Sequence, residues 1–264
     1  MTKPMKHLKS TYAELRSFLE NISVQHVLET LKCCSDTDSA VATRELMENW
    51  DFDVMGLKEN GQVFGYVKRE ALTTGTCRDH KKMFHPSELI SKSTPLATLF
   101  PLLHDSPRMF VLDGNRVVGI VTRGDLQKAP VRILLFGLVT LLEMHLLRLI
   151  RDNYPNESWR LLLKTNRIKK AKQLFAERRA RNEAIDLTVC LQLCDKRDLI
   201  MKTDSIRECI EAEFKKPADS LLRPMETLRD KLAHAQDIVV GTSWPEVIDL
   251  IGNIERLVEL IEPM

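Results

Sequence analysis

The feature that most constrains the fold of this chain is an internal repeat in its first half. Around Asn60-Gly61 an apolar run, a turn and a segment of alternating apolar residues follow one another, which is the pattern of a β-hairpin. The same order recurs roughly fifty residues later around Asp113-Gly114. A repeat of this length predicts two similar units that pack together and share a core.

The two copies also align residue by residue beyond the turn. Gly65–Leu72 aligns with Gly119–Leu126, and a predicted helix precedes each hairpin, over Ser39–Asn49 and Pro95–Leu103. The alternation of helices and hairpins predicts an α+β fold for this half of the chain.

The segment Gly119–Leu126, which reads Gly-Ile-Val-Thr-Arg-Gly-Asp-Leu, resembles the CBS repeat. The resemblance implies a tandem pair over residues 21–129, with repeats at about 21–75 and 85–129, preceded by an N-terminal helical segment over 1–20. It also implies a disc-like module whose clefts bind adenine nucleotides or adenosyl ligands.

In the second repeat the resemblance implies a phosphate contact for Thr122 and ribose contacts for Asp125, with the adjacent Arg123 as a further candidate. A hydroxyl can donate to a phosphate oxygen, and a carboxylate can accept two hydrogen bonds from a vicinal diol. The alternative is that Thr122 and Asp125 only cap a helix, since both residue types satisfy free N–H groups at helix starts.

The first repeat departs from this pattern. It has Lys68 where the hydroxyl is expected and Ala71 where the carboxylate is expected. Its cleft is therefore either empty, or Lys68 and Arg69 add positive charge for a polyphosphate.

After Pro130 apolar residues follow helical spacing, which predicts an all-α helical-bundle domain over 130–264. Ser243 followed by Glu246 has the spacing of a capping box and predicts the start of the last helix. The apolar run Ile133–Leu142 is too short to span about 30 Å of hydrocarbon, so we expect a buried core helix and no membrane span.

A predicted helix after Pro224 carries an apolar stripe, and three polar residues lie away from that stripe. The segment Arg229-Asp230-Lys231-Leu232-Ala233-His234 resembles the signature of HEPN domains. This resemblance implies metal-independent RNA cleavage in a homodimer, in which His234 transfers protons, Arg229 holds the phosphate and Asp230 orients the imidazole. The alternative is a solvated surface with a local ion pair. Gln236 stands where one version of the family has a tyrosine.

Nine basic residues and one acidic residue lie between Arg160 and Arg181. Such a surface attracts phosphate backbones, so Lys169, Lys170, Arg178 and Arg179 are candidate RNA contacts, although charged helix faces also serve solubility alone. Glu143 and His145 interrupt an apolar helix, and we expect them to be partnered core groups rather than part of the site.

These features predict a nucleotide-regulated endoribonuclease of HEPN type that acts as a homodimer, as in a toxin or defence system. The alternative is a non-catalytic adenine-nucleotide-sensing adaptor that binds a protein or RNA partner. We expect no required cofactor and no metal, because the six cysteines form no Cys-x-x-Cys pair. The polar N-terminus has no apolar signal region, which favours the cytoplasm.

Overall fold

The computed structural model describes residues 14, 15 and 17–264. These residues form two compact units. One comprises Glu20–Val131, and the other comprises Arg132–Met264 with the described residues up to Leu19. Most of the helical segment predicted over 1–20 lies outside the described residues, although residues 17–20 are helical.

The N-terminal unit contains two copies of one arrangement, in which a short strand is followed by a helix and a β-hairpin. A short strand β1 (Glu29–Thr30) precedes both copies. The first copy consists of β2 (Cys33–Ser35), α1 (Ala40–Asn49), β3 (Val54–Glu59) and β4 (Gln62–Lys68), and the second of β5 (Leu89–Ser91), α2 (Leu96–Asp105), β6 (Arg108–Asp113) and β7 (Arg116–Thr122).

The two copies have the same strand pairing. One sheet has the order β2-β3-β4 and the other the order β1-β7-β6-β5, and in each copy the short strand runs parallel to the first strand of the hairpin. Val54 pairs with Lys68 in the first hairpin, and Arg108 pairs with Thr122 in the second. The predicted α+β fold and its duplication are confirmed.

The predicted turns and helix starts are present. Gly61 and Gly114 have φ values of 79° and 60°, a left-handed conformation that glycine adopts without a steric penalty. The Ser39 hydroxyl accepts a hydrogen bond from the Ala42 N–H at the start of α1.

Apolar side chains from both copies form one cluster. Leu31, Val54 and Tyr66 pack with Phe110 of the second copy, and all four are buried. The two repeats therefore share a core, as the duplication predicted.

The second unit is helical throughout its regular elements, which confirms the predicted fold class. Its first helix, α3, begins at Ala129, so the boundary between the two units lies in the first turn of that helix. The helices are α3 (Ala129–Asn153), α4 (Thr165–Ala180), α5 (Leu193–Met201), α6 (Asp204–Phe214), α7 (Ala218–Ala233) and α8 (Trp244–Ile261).

The predicted start of α7 was wrong. The helix begins at Ala218 and contains Pro224, and it ends at Ala233. The predicted apolar stripe also included Ala235 and Val239, but both lie beyond the helix, and Ala235 is exposed with a φ of 52°. The buried face consists of Leu221, Leu222, Met225, Leu228 and Leu232.

At the start of α8 the predicted capping box is formed. The Ser243 hydroxyl accepts a hydrogen bond from the Glu246 N–H, and the Glu246 carboxylate accepts one from the Ser243 N–H at 2.8 Å.

Helix α3 is the one helix among the described residues that is long and apolar enough to cross a membrane. It has 25 residues, a mean hydropathy of 2.0 in its most apolar part, and half of that part is buried within the fold. The helix is therefore longer than the ten-residue run Ile133–Leu142, and the prediction that this segment is too short for a span was wrong. A single such helix is weak evidence for a span, because the core helix of a soluble protein has the same length and composition.

Candidate functional site

A cleft of about 480 Å³ opens in the N-terminal unit where the two repeats meet. One wall comes from the segment before β2, a second from the start of β3 in the first repeat, and a third from the second repeat. The lining residues are Glu29–Lys32, Asp51–Val54, Pro107, Arg108, Ile120, Thr122 and Asp125.

Two of the four predicted nucleotide-binding residues, Thr122 and Asp125, line this cleft. They also form a capping box: Asp125 accepts hydrogen bonds from the Thr122 N–H at 2.7 Å and from its hydroxyl at 3.0 Å. Asp125 is only 7% exposed. Thr122 and Asp125 therefore form a cap and line the cleft at the same time.

The second oxygen of Asp125 forms an ion pair with Lys128 at 2.8 Å. Lys128 also pairs with Glu29 and donates to the Val27 carbonyl at 2.6 Å. Burial alone would lower the pKa of Lys128, but the hydrogen bonds from its ammonium group to Asp125 and Glu29 raise it above its ordinary value.

The other two predicted nucleotide-binding residues do not line the cleft. Arg123 donates at 2.7 Å to the carbonyls of Leu103 and His104 in the last turn of α2. Lys68 forms an ion pair with Glu70 at 3.4 Å. Arg123 thus caps a helix rather than facing the cleft.

All four carboxylates in the cleft wall have a cationic partner in the protein. Arg69 pairs with Asp51 at 3.4 Å and with Asp53 at 2.7 Å, and Lys128 pairs with Glu29 and Asp125.

Two cations of the cleft wall, Lys32 and Arg108, have no ion pair within the described part of the chain. The Arg108 Nε atom is buried without a hydrogen-bond partner there. Neither residue was a sequence candidate. Arg108 could have been found, because hairpin register places it opposite Thr122.

The first repeat carries an aromatic side chain at the position of Ile120. Tyr66 stands where the second repeat has Ile120, it is 4% exposed, and its hydroxyl donates to Glu88 at 2.9 Å. Its ring lies 5.7 Å from that of Phe84 and 4.8 Å from that of Phe110. Burial and the hydrogen bond to Glu88 raise the pKa of Tyr66.

In the helical unit, Arg229 is held by two carboxylates. Its guanidinium donates to Asp230 at 2.9 Å, and its Nε lies 3.4 Å from Glu143. Burial would lower the pKa of Arg229, but Asp230 and Glu143 raise it. Asp230 therefore pairs with Arg229, and no contact with the imidazole of His234 is found in the described part of the chain.

His234 lies at the C-terminal cap of α7, directly after the last helical residue, and its side chain is exposed. Its backbone N–H donates to the Asp230 carbonyl at 3.1 Å. The three predicted catalytic residues are thus close in sequence at the end of one helix, with Arg229 turned towards α3.

The polar residues inside α3 are core groups. Glu143 pairs with the buried Lys196 at 2.9 Å as well as with Arg229, which agrees with the expectation that it is partnered. His145 is 1% exposed.

The basic stretch divides into paired and solvent-facing residues. Arg178 forms an ion pair with Glu183 at 2.7 Å, and Arg179 donates to the Glu183 carbonyl at 3.3 Å. Lys169 and Lys170 are exposed on α4. Of the four candidate RNA contacts, these two lysines present their charge most freely.

A protein-family model matches part of the N-terminal unit. Residues 79–132 match the family model described as CBS domain, which supports the resemblance noted for the second repeat. The first repeat has the same strand order and register as the second.

Several solved structures are similar to part of the chain. They include an uncharacterized conserved protein from Pyrococcus horikoshii, with 16% identity over 40% of this chain and 90% of that one and a TM-score of 0.36. CBSX2 in complex with AMP has 18% identity over 42% and 97% of the two chains and a TM-score of 0.37. A putative acetoin utilization protein from Vibrio cholerae has 15% identity over 39% and 86% and a TM-score of 0.34. No curated protein matches the chain.

Proposed function

We propose that this protein is an adenine-nucleotide sensor whose ligand binds in the cleft between the two CBS-type repeats. The observation that carries the proposal is the position of Thr122 and Asp125 together in the wall of a cleft of about 480 Å³. Clefts of a few hundred Å³ with few polar groups are typical of small-ligand sites.

The lining fits a nucleoside. Apolar side chains such as Leu31, Val54 and Ile120 offer contact area for a base. The Asp125 carboxylate has two oxygens that each accept more than one hydrogen bond, so it can receive ribose hydroxyls while it still caps Thr122.

Isothermal titration calorimetry with AMP, ADP, ATP, adenosine and S-adenosylmethionine tests this proposal, with GMP as a control for the base. We choose AMP as the first probe because the solved structure of CBSX2 is a complex with AMP. Asp125→Asn is expected to weaken binding at least tenfold, because a carboxylate accepts stronger hydrogen bonds than an amide.

Asp79 offers a matched control. It forms the same kind of capping box in the segment between the two repeats, where it accepts from the Thr76 N–H at 2.8 Å and the Thr76 hydroxyl at 2.9 Å, but it does not line the cleft. Asp79→Asn should lose a comparable cap and bind the nucleotide normally. Equal loss in both variants, or no binding of any adenine ligand by the unaltered protein, would refute the proposal.

For the output of the helical unit, metal-independent RNA cleavage in a homodimer is a second candidate. It is favoured by the exposed imidazole of His234, which follows Arg229 by five residues near the end of α7. These two positions are about 140° apart around a helix of 3.6 residues per turn. One chain therefore does not easily bring both side chains to one phosphate, whereas two facing chains could place Arg229 of one beside His234 of the other.

Incubation of the protein with RNA and with DNA of the same sequence, in the presence of a chelator and with or without nucleotide, tests this candidate. His234→Ala should abolish RNA cleavage, whereas Gln236→Ala, a change at an exposed position two residues away, should not. Mixing the inactive Arg229→Ala and His234→Ala chains should restore part of the activity if the site is shared. Intact RNA under every condition supports the adaptor instead, with Lys169 and Lys170 as contacts for an acidic partner.

A further inference from the structure

The charges of the cleft between the repeats define which adenine ligand it accepts, an inference that rests on the function proposed above. We propose that the cleft selects a nucleoside monophosphate over a triphosphate, and that Arg108 and Lys32 hold its single phosphate. The wall of the cleft contains four carboxylates and two cations. The carboxylates belong to Glu29, Asp51, Asp53 and Asp125, and the cations belong to Lys32 and Arg108.

Each of the four carboxylates already has a cationic partner within the protein, although two cations serve all four. Arg69 holds Asp51 and Asp53, and Lys128 holds Glu29 and Asp125. These two cations are therefore committed and are not free to bind a ligand anion.

Lys32 and Arg108 are the cations of the wall that no carboxylate neutralises in the described part of the chain. Two positive charges match a phosphate monoester, which carries about −1.5 to −2 at pH 7. A triphosphate brings further negative charge into a wall that already carries four carboxylates, and like charges repel at this range.

Arg108 is placed by the fold rather than by a flexible loop. It is the first residue of β6 and pairs in register with Thr122, so its side chain and the Thr122 hydroxyl start from adjacent points of one sheet. Its guanidinium lies 5.9 Å from the centre of the Tyr66 ring. Arg108 also forms a side-chain hydrogen bond with Tyr66, and no carboxylate pairs with its guanidinium in the described part of the chain.

The test compares dissociation constants of adenosine, AMP, ADP and ATP for the full chain, the Arg108→Gln variant and the Arg108→Lys variant. The unaltered chain is expected to bind AMP at least tenfold more tightly than ATP and more tightly than adenosine. Arg108→Gln should weaken the binding of AMP at least tenfold and change the dissociation constant of adenosine less than threefold, because only the phosphate contact is lost. Arg108→Lys should recover part of the AMP affinity, since it keeps the charge but not the fork.

Arg116→Gln is the matched control, because Arg116 lies at the other end of the same hairpin, is exposed and does not line the cleft. It should leave all four constants unchanged. This inference is overturned if ATP binds as tightly as AMP, or if Arg108→Gln loses affinity for adenosine and AMP equally. Either result leaves the proposed sensor function standing. Failure of adenosine and every nucleotide to bind the unaltered chain refutes the proposed function itself.

Discussion

The two repeats of the N-terminal unit share strand order, register and turns, yet in the aligned segment only the second carries a capping Thr–Asp pair, which lines the cleft. The position of Ile120 in the second repeat is occupied by Tyr66 in the first, whose ring packs against Phe84 and Phe110. The positions of Thr122 and Asp125 are occupied by Lys68 and Ala71. A duplicated backbone therefore carries different side chains, with different packing, at equivalent positions of the two repeats.

The largest expected effect comes from giving the second repeat the residues of the first. The double variant Thr122→Lys, Asp125→Ala should lose nucleotide binding by about a hundredfold or more, because it removes the ribose acceptor and adds bulk to the cleft wall. Calorimetry with AMP measures the loss. Lys68→Thr with Ala71→Asp, the reciprocal change, should leave affinity at the existing cleft within twofold, and a large loss there would contradict the difference between the repeats.

A smaller effect is expected when the aromatic filling of the first repeat is removed. Tyr66→Ile should lower the free energy of unfolding by about 2–3 kcal/mol, because it leaves a cavity beside Phe84 and Phe110. Urea denaturation followed by circular dichroism measures the change. Ile120→Val, at the equivalent position in the cleft wall, should cost about 1 kcal/mol or less, and equal losses would mean that the two positions are not differently packed.

The smallest effect concerns the ion pairs of Lys128, which are specific to the second repeat. Because the folded pKa of Lys128 is raised, its stabilising contribution is fully present below the pKa of an unfolded lysine, about 10.4, and is lost as the pH rises through the folded pKa. Lys128→Met should lower the free energy of unfolding by about 1 kcal/mol at pH 7. The difference in the free energy of unfolding between Lys128→Met and the unaltered chain should shrink above about pH 10.4. A difference that grows with pH would contradict a raised pKa of Lys128.

The fold of the N-terminal unit could be predicted because its determinants are local. The left-handed turn at Gly61 is encoded within two residues, and the repeat doubles the signal. The start of α7 was missed because Pro224 was taken as a helix start. A proline removes one hydrogen bond and strains the preceding turn, and here the apolar face around it outweighs that cost.

The site was predicted only in part, because neighbours in sequence need not face the same way. Thr122 and Asp125 line the cleft, but Arg123 turns to the end of α2, where the carbonyls of Leu103 and His104 accept its hydrogen bonds. Arg108 and Lys32 were missed because they lie outside the aligned segment and reach the cleft through strand pairing and tertiary packing. The roles of Arg229, Asp230 and His234 in RNA cleavage stay a prediction.

The difference between the repeats at Tyr66 and Ile120 bears on how steeply ligand occupancy can rise with ligand concentration. Under the proposed function, with one cleft in each chain, we expect a binding stoichiometry of one per chain and a hyperbolic saturation curve with a Hill coefficient of one. Such a chain needs about an 81-fold change in ligand concentration to pass from 10% to 90% occupancy. Any sharper threshold would have to arise from cooperation between separate chains.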